Sequence, residues 1–290
     1  MDTLKKSVKQ YLREVYMTST FRFLSRGGPG LEGFLIAEYY KTRSQNKRLF
    51  ADRRYLYQML NKESVFTLFT REELFDKPFL LDYVFESKTP FVILKKSDSF
   101  DGKGIAVINL DDLNQESLRS LMKKDGYRYL ELPVEQASFI SEIAPLGIST
   151  VNILSWKSEL DEVRIFAASL QLTSSSLLDC MGIEGIWVNL DPHLGVAIDH
   201  GKQLFPVEKT VLHHPVSGYE ISAISIPSWE GISGFISDIY EKMELRGLLS
   251  LELVLAADGP KLLSFGGEES LEQWIRLGEK EFFNDLKHTV

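Results

Sequence analysis

Phe91-Val92-Ile93-Leu94 is an apolar run that ends in Lys95-Lys96, passes through the small polar stretch Ser97 to Gly104, and resumes as a second apolar run at Ile105. Short apolar runs bounded by turn residues pair as hairpin strands, and Gly102 and Gly104 let the backbone approach a ligand closely. A lysine at a strand end beside a loop of bare N–H groups suits a polyphosphate. The pattern predicts a flap over a nucleotide, although a plain glycine hairpin carries the same signature. Gly102-Lys103-Gly104 lacks the lysine-serine pair of a Walker loop, and no G-x-G-x-x-G opens a helix, so the common phosphate and dinucleotide motifs do not apply.

The chain has 290 residues, 44% hydrophobic and 26% charged, which suits one large folded domain or two packed ones. A net charge of −8 opposes general binding to nucleic acid or anionic membranes. Cys180 stands alone, so an intrachain disulfide and a thiolate zinc site are excluded, and a reducing, cytoplasmic setting is expected. Met1 to Tyr16 alternates lysines with apolar residues; it lacks a secretory core, and no transmembrane run follows. His193 and His200 have no zinc spacing, and no G-x-S-x-G elbow supports a serine hydrolase.

The first third reads as mainly helical, with Leu31 to Tyr40 and Arg53 to Leu60 at helical spacing and a short strand at Val65 to Phe69. From residue 90 strands dominate: Phe91 to Leu94, Gly104 to Leu110, Tyr127 to Leu130, Ile148 to Trp156, Val163 to Leu172, Gly185 to Leu190, Leu248 to Ala256 and Lys261 to Phe265. Asn114 to Lys124 and Trp229 to Met243 read as amphipathic helices. The pattern predicts two α+β lobes crossing near Glu131 to Gln136, with a ligand cleft between them. Glu131 and Glu135 flank Pro133, as a base-binding hinge or a solvent-exposed connection would have them.

His214-Pro215-Val216-Ser217-Gly218, Ile226-Pro227-Ser228-Trp229 and Asp258-Gly259-Pro260 follow Lys95 and Gly102-Lys103-Gly104 in one order. Together they resemble the sugar-transfer-associated branch of the ATP-grasp superfamily, from about residue 45 to about residue 270. The resemblance implies two α+β lobes that clamp ATP and transfer its γ-phosphoryl to a carboxylate, which an amine then attacks. It implies phosphate contacts from Lys95, Ser99, Gly102, Lys103 and Gly104. Glu131, Leu132 and Pro133 would meet adenine, Glu135 the ribose, and Gln136 matches the family glutamine. His214 is a candidate for the chemistry beside Lys95, or a loop histidine bonded to local backbone.

Several family positions hold other residues. Where the family strand reads N-T-x-R, this chain has Ser149-Thr150-Val151-Asn152; where a second arginine follows, it has Gln171; and V-D-N is Leu178-Asp179-Cys180. Glu252 stands at the first metal acid, whereas E-x-N is Ser264-Phe265-Gly266, leaving Glu252 as a single weak magnesium ligand. Glu268 and Glu269 could replace the lost acids or begin an exposed helix.

The resulting expectation is an α+β ATP-grasp fold with a mainly helical segment over 1–87, a small lobe over 88–133 and a large lobe over 134–290. Two functions are carried: an ATP-dependent ligase of cell-surface polysaccharide or sugar-conjugate assembly, acting on a carboxylate and an amine or sugar, or an inactive relative that binds a nucleotide or a protein partner.

Overall fold

The computed structural model describes residues 67–265 apart from 88, 101–102, 134, 158–162, 175–184 and 204–207, together with 42, 45–46 and 59–60; for 97–100 and 103 it describes the backbone alone. The basic start of the chain, the expected helix at Leu31 to Tyr40, most of that at Arg53 to Leu60, Gly102, Gly266, Glu268 and Glu269 lie outside these residues.

Strands β1 (Thr67–Thr70), β2 (Phe91–Phe100), β3 (Lys103–Asn109) and β4 (Tyr129–Leu132) form an antiparallel sheet in the order β1-β4-β2-β3. Helices α1 (Arg71–Asp76), α2 (Pro78–Glu86) and α3 (Gln115–Lys124) cover one face. Each start is chemically marked. Thr70 and Glu73 form a reciprocal capping box, Pro78 sits in the first turn of α2, and Asn114 caps α3 through the Ser117 N–H. Leu74, Leu81, Val84, Leu118 and Met122 then pack on Val92, Leu94 and Leu130. Side chains alternate across a strand, so Phe91, Ile93 and Lys95 point away from these helices. Residues 67–86 share this core with the strands that follow them.

The second sheet joins β5 (Thr150–Lys157), β6 (Val163–Leu172), β7 (Ile186–Leu190), β8 (Gly201–Gln203), β9 (Lys209–Val211), β10 (Gly247–Ala256) and β11 (Gly259–Phe265) in the antiparallel order β11-β10-β5-β6-β7-β8-β9. One face is apolar. Val151, Ile153, Leu170, Val188, Leu251 and Leu253 pack with α4 (Ser138–Ile143) and α5 (Trp229–Lys242), the latter through Ile232, Ile236 and Ile239. Tyr240 ends this stripe with its hydroxyl 3.0 Å from the Ser155 carbonyl and 3.1 Å from that of Gly247, and burial pushes its phenol far above the ordinary value. The expected α+β class is thus present as two antiparallel sheets with few helices.

The other face meets the first sheet. Ile93 and Val254 form a buried contact joined by Phe91, Ile105, Val107, Ile148 and Leu263, which ties the two lobes together at one end.

Strand ends differ slightly from the expected ones. The strand placed at Tyr127 to Leu130 is Tyr129–Leu132, and the expectation of a solvent-exposed connection fails at Glu131, a strand residue only 4% exposed. A carboxylate enters a buried strand because it has a cationic partner there.

The motif residues brace loops. Trp229 Nε1–H donates to the Pro192 carbonyl at 2.9 Å, and the Ile226 N–H donates to the Gly195 carbonyl at 2.9 Å. Gly195 has φ +67°, and a Cβ there would stand 2.5 Å from the Trp229 ring. Gly218 has φ +72° with nothing within 4 Å of a Cβ. Gly195→Ala is therefore expected to destabilise the fold by about 3 kcal/mol, from overpacking added to left-handed strain, and Gly218→Ala by about 1 kcal/mol from strain alone. Urea denaturation of both variants checks this; equal losses would contradict the steric role of Gly195.

Candidate functional site

The facing surfaces of the two sheets carry most of the buried polar groups. On the small sheet, Lys95 and Glu131 are 5% and 4% exposed, and Lys95 Nζ lies 2.5 Å from Glu131 Oε2. Glu131 is opposite Ile93, one of the residues that touch the large sheet, so the pair lies on the interlobe face. Lys96 points the other way, with its ammonium 5.6 Å from the centre of the Tyr127 ring.

On the large sheet the register sets polar residues in rows. Ser264 pairs with Glu252, Glu252 with Asn152, Asn152 with Ser169 and Ser169 with Asn189. A second row pairs Thr150 with Gln171, Gln171 with Trp187 and Trp187 with Lys202. Val254, two residues beyond Glu252, belongs to the interlobe contact, so these rows share the face turned to the small lobe.

Ser264 Oγ–H donates to Glu252 Oε2 at 2.8 Å. By contrast Thr150 Oγ1, Asn152 Nδ2, Ser169 Oγ, Gln171 Nε2 and Thr173 Oγ1 are buried and have no protein hydrogen-bond partner. Their residues are between 0% and 7% exposed. A buried unsatisfied polar group costs about 1–3 kcal/mol, so this set is a concentrated liability unless a ligand or solvent completes it. The Gln171 amide has room because residue 185 is glycine; a Cβ there would lie 3.0 Å from Gln171 Nε2.

The end of these rows is clamped. Gln136 Nε2–H donates to the Ser149 carbonyl at 3.0 Å, while its Oε1 accepts from the Ser149 N–H at 3.1 Å. The Thr173 carbonyl is 2.8 Å from His214 Nε2, and His214 Nδ1 accepts from the Val216 and Ser217 N–H groups at 3.4 and 3.3 Å. Two N–H donors at Nδ1 assign the ring as the Nε2–H tautomer, donating to Thr173. His214 is 1% exposed.

The profile of the sugar-transfer associated ATP-grasp family matches residues 80–275, about two thirds of the chain. The chain belongs to this family. No protein of curated function matches it in sequence. Among solved structures, it is similar to the ADP complex of an N5-carboxyaminoimidazole ribonucleotide synthetase at 17% identity and a TM-score of 0.45, covering 77% of this chain and 46% of the other. It is also similar to Staphylococcus aureus N5-carboxyaminoimidazole synthetase complexed with ADP (14%, TM-score 0.44, 78% and 48%). D-alanyl-alanine synthetase A from Vibrio cholerae is a further neighbour (11%, TM-score 0.41, 76% and 55%). The chain spans about half the length of these structures.

Within this ATP-grasp chain, the structure brings Lys95 and Glu131 together, with Leu132 buried beside them at the end of β4. Glu135 is exposed, and its carbonyl accepts from the Ala257 N–H at 3.0 Å, fastening the crossing to the end of β10. Gly104 takes φ +74° against the Lys96 side chain. Ser99 lies in β2 and Lys103 starts β3, the two arms of the hairpin. Gln136 and His214 have their polar atoms committed to backbone around the site. Asp258, exposed on the turn before β11, accepts from Lys261 Nζ at 2.8 Å, and Lys261 lies in β11 opposite Val254 with its side chain 14% exposed.

Ser169, Thr173 and Asn189 were not among the expected site residues. Their signal was polar residues alternating with Ala168, Leu170 and Val188 in otherwise apolar strands.

A metal-bound triphosphate calls for cations and clustered hard anions. Among the described residues no group of three or more His, Cys, Asp or Glu side chains could hold a metal ion. The row from Ser264 to Asn189 gives one carboxylate among neutral amides and hydroxyls, so these residues do not supply the clustered acids that a bound metal ion needs.

Lys95→Met leaves the Glu131 carboxylate buried beside an apolar chain and is expected to destabilise the protein by about 3–5 kcal/mol, against less than about 1 kcal/mol for Lys96→Met. Adding Glu131→Leu to Lys95→Met should recover most of the loss. Chemical denaturation of the three variants measures this; a double variant no more stable than the single one would refute the pairing.

Proposed function

We propose that this chain is a nucleotide-binding ATP-grasp protein whose cleft does not carry out phosphoryl transfer. The observation behind this reading is the row Ser264, Glu252, Asn152, Ser169 and Asn189, which presents a single carboxylate among neutral amides and hydroxyls. Phosphoryl transfer rests on positioning and on neutralising charge that spreads over the transferring oxygens. Lys95 supplies a cation on the opposite face, but Glu131 already balances it.

On this reading the nucleotide lies between a small lobe over 88–133, extended by β1, α1 and α2, and a large lobe from 134 onward. The Lys95 hairpin covers its phosphates, and the backbone of Glu131, Leu132 and Pro133 meets the base. Asn152 and Gln171 offer hydrogen-bond donors without charge where the family resemblance implies guanidinium groups. The ancestral chemistry would be ATP-dependent ligation of a carboxylate to an amine, in polysaccharide or sugar-conjugate assembly. The role left to the protein is that of a nucleotide-responsive partner. The lone Cys180 suits the cytoplasm, and no helix among the described residues is long and apolar enough to cross a membrane.

Calorimetric titration with ATP, with and without magnesium, tests the reading alongside an ADP-release assay. Binding is expected to be measurable and to change less than about threefold with magnesium, because Glu252 is a lone ligand. ADP release should stay at background. Binding abolished by EDTA, or sustained turnover, would show instead an active ligase with acids supplied from elsewhere in the chain.

A further inference from the structure

Gln171 and Gly185 hold an arrangement that the fold alone does not require. We infer that Gln171 and Thr150 are specificity-determining residues that donate to acceptor oxygens of the bound nucleotide, and that Gly185 is the positioning residue that aims Gln171. This rests on the cleft being the nucleotide site and names the groups that read the ligand there.

Thr150 and Gln171 are directly opposite on β5 and β6, and both side chains are turned to the small lobe. Such neighbours have Cβ atoms about 5 Å apart, so a glutamine amide can reach a threonine hydroxyl across the pair. Here it does not. Thr150 Oγ1 and Gln171 Nε2 are both buried and both without a protein partner, in residues 1% and 4% exposed. The amide lies instead on the side of β7. Gln171 is opposite Trp187, which puts residue 185 on the diagonal, and a Cβ at Gly185 would stand 3.0 Å from Gln171 Nε2 and 3.3 Å from its Cγ. Both distances are shorter than ordinary van der Waals separations, so any larger residue pushes the carboxamide back toward β5. The backbone of Gly185 is not left-handed, so what the glycine supplies is room.

A hydrogen bond between Thr150 and Gln171 would remove two unsatisfied groups at once. Held apart, both stay open to an acceptor on a molecule in the cleft. Their strands are central in the sheet, and the Gln136 and His214 clamps fix the neighbouring residues Ser149 and Thr173. Donors fixed in this way lose little entropy when a ligand arrives. Thr150 donates through one rotatable hydroxyl and Gln171 through an amide with two hydrogens, which suits neighbouring oxygens of a ribose or a phosphoryl group.

Calorimetric titration of the full chain with adenosine, AMP and ATP, for the wild type and for Gly185→Ala, Gln171→Ala, their double variant and Thr150→Val, tests the inference. Gln171→Ala and Thr150→Val are each expected to weaken binding about threefold to tenfold, the range of one neutral hydrogen bond. Gly185→Ala is expected to weaken it at least about threefold while the thermal midpoint of the ligand-free protein holds or rises, because the displaced amide then meets Thr150. In the double variant no amide is left to aim, so its affinity should match that of Gln171→Ala. Losses shared by adenosine put the oxygen on the ribose, and losses confined to AMP and ATP put it on the phosphate; either supports the inference. Wild-type affinity in Gly185→Ala, or a loss that comes with a lowered midpoint or adds in full to that of Gln171→Ala, overturns the aiming role. Unchanged binding in Gln171→Ala and Thr150→Val overturns the contact while leaving the nucleotide site standing, and wild-type protein that binds none of the three ligands overturns both. Thr150→Val keeps the shape of its side chain and decides the contact if Gln171→Ala does not fold.

Discussion

The antiparallel register of β10, β5 and β6 is the constraint on which the rest of the molecule depends. It pairs Leu251 with Ile153 and Ile153 with Ala168 on one face, and Glu252 with Asn152 and Asn152 with Ser169 on the other. A slip of one residue would exchange the faces, exposing Val151, Ile153, Leu251 and Leu253 to the cleft and driving amides under α5. The hydrophobic contact with α5 and α4 therefore fixes the chemistry of the cleft without touching it. Packing on one side of the sheet is the cause; polar order on the other is the result.

A second constraint works within the small sheet. Burying a lysine and a glutamate takes both from water, and their attraction repays this only in close geometry. Lys95 and Glu131 are on adjacent strands, so their meeting requires β2 and β4 to be paired as they are. The ion pair thus reads the register of the small sheet, while the contact of Ile93 with Val254 sets where the two sheets touch. Together they fix how the two sheets face each other at this contact.

Much of this was legible beforehand because it is written in local periodicity. The strands at Val163–Leu172 and Gly247–Ala256 and the helix from Trp229 have alternation or helical spacing strong enough to place them within a residue or two. Lys95 was legible because a charge after four apolar residues stands out. Glu131 was only half legible: its partner lies 36 positions away (131 minus 95), and nothing local says that a carboxylate after Tyr129-Leu130 will be buried. Ser169 and Asn189 were missed for a related reason. Small polar residues are common in strands, and their importance comes from being opposite Asn152, a fact of pairing. His214 and Gln136 carry motif positions whose polar atoms bond to backbone.

That last distinction separates the residues that hold the scaffold from those that line the interlobe face. Trp229, Gly195, Gln136 and His214 each satisfy or abut backbone, so their loss would disturb loops that hold the sheet. The side chains of Asn152 and Gln171 satisfy nothing through their amide nitrogens, and the fold gains no stability from those donors. The same surface does accept apolar residues: Leu154 lies two residues from Asn152 on β5 and is fully buried. Leucine at 152 would thus suit the sheet better than asparagine does. A group of buried donors that the fold neither needs nor satisfies marks this stretch of the interlobe face as the place where a bound group would restore what the sheet leaves unmade.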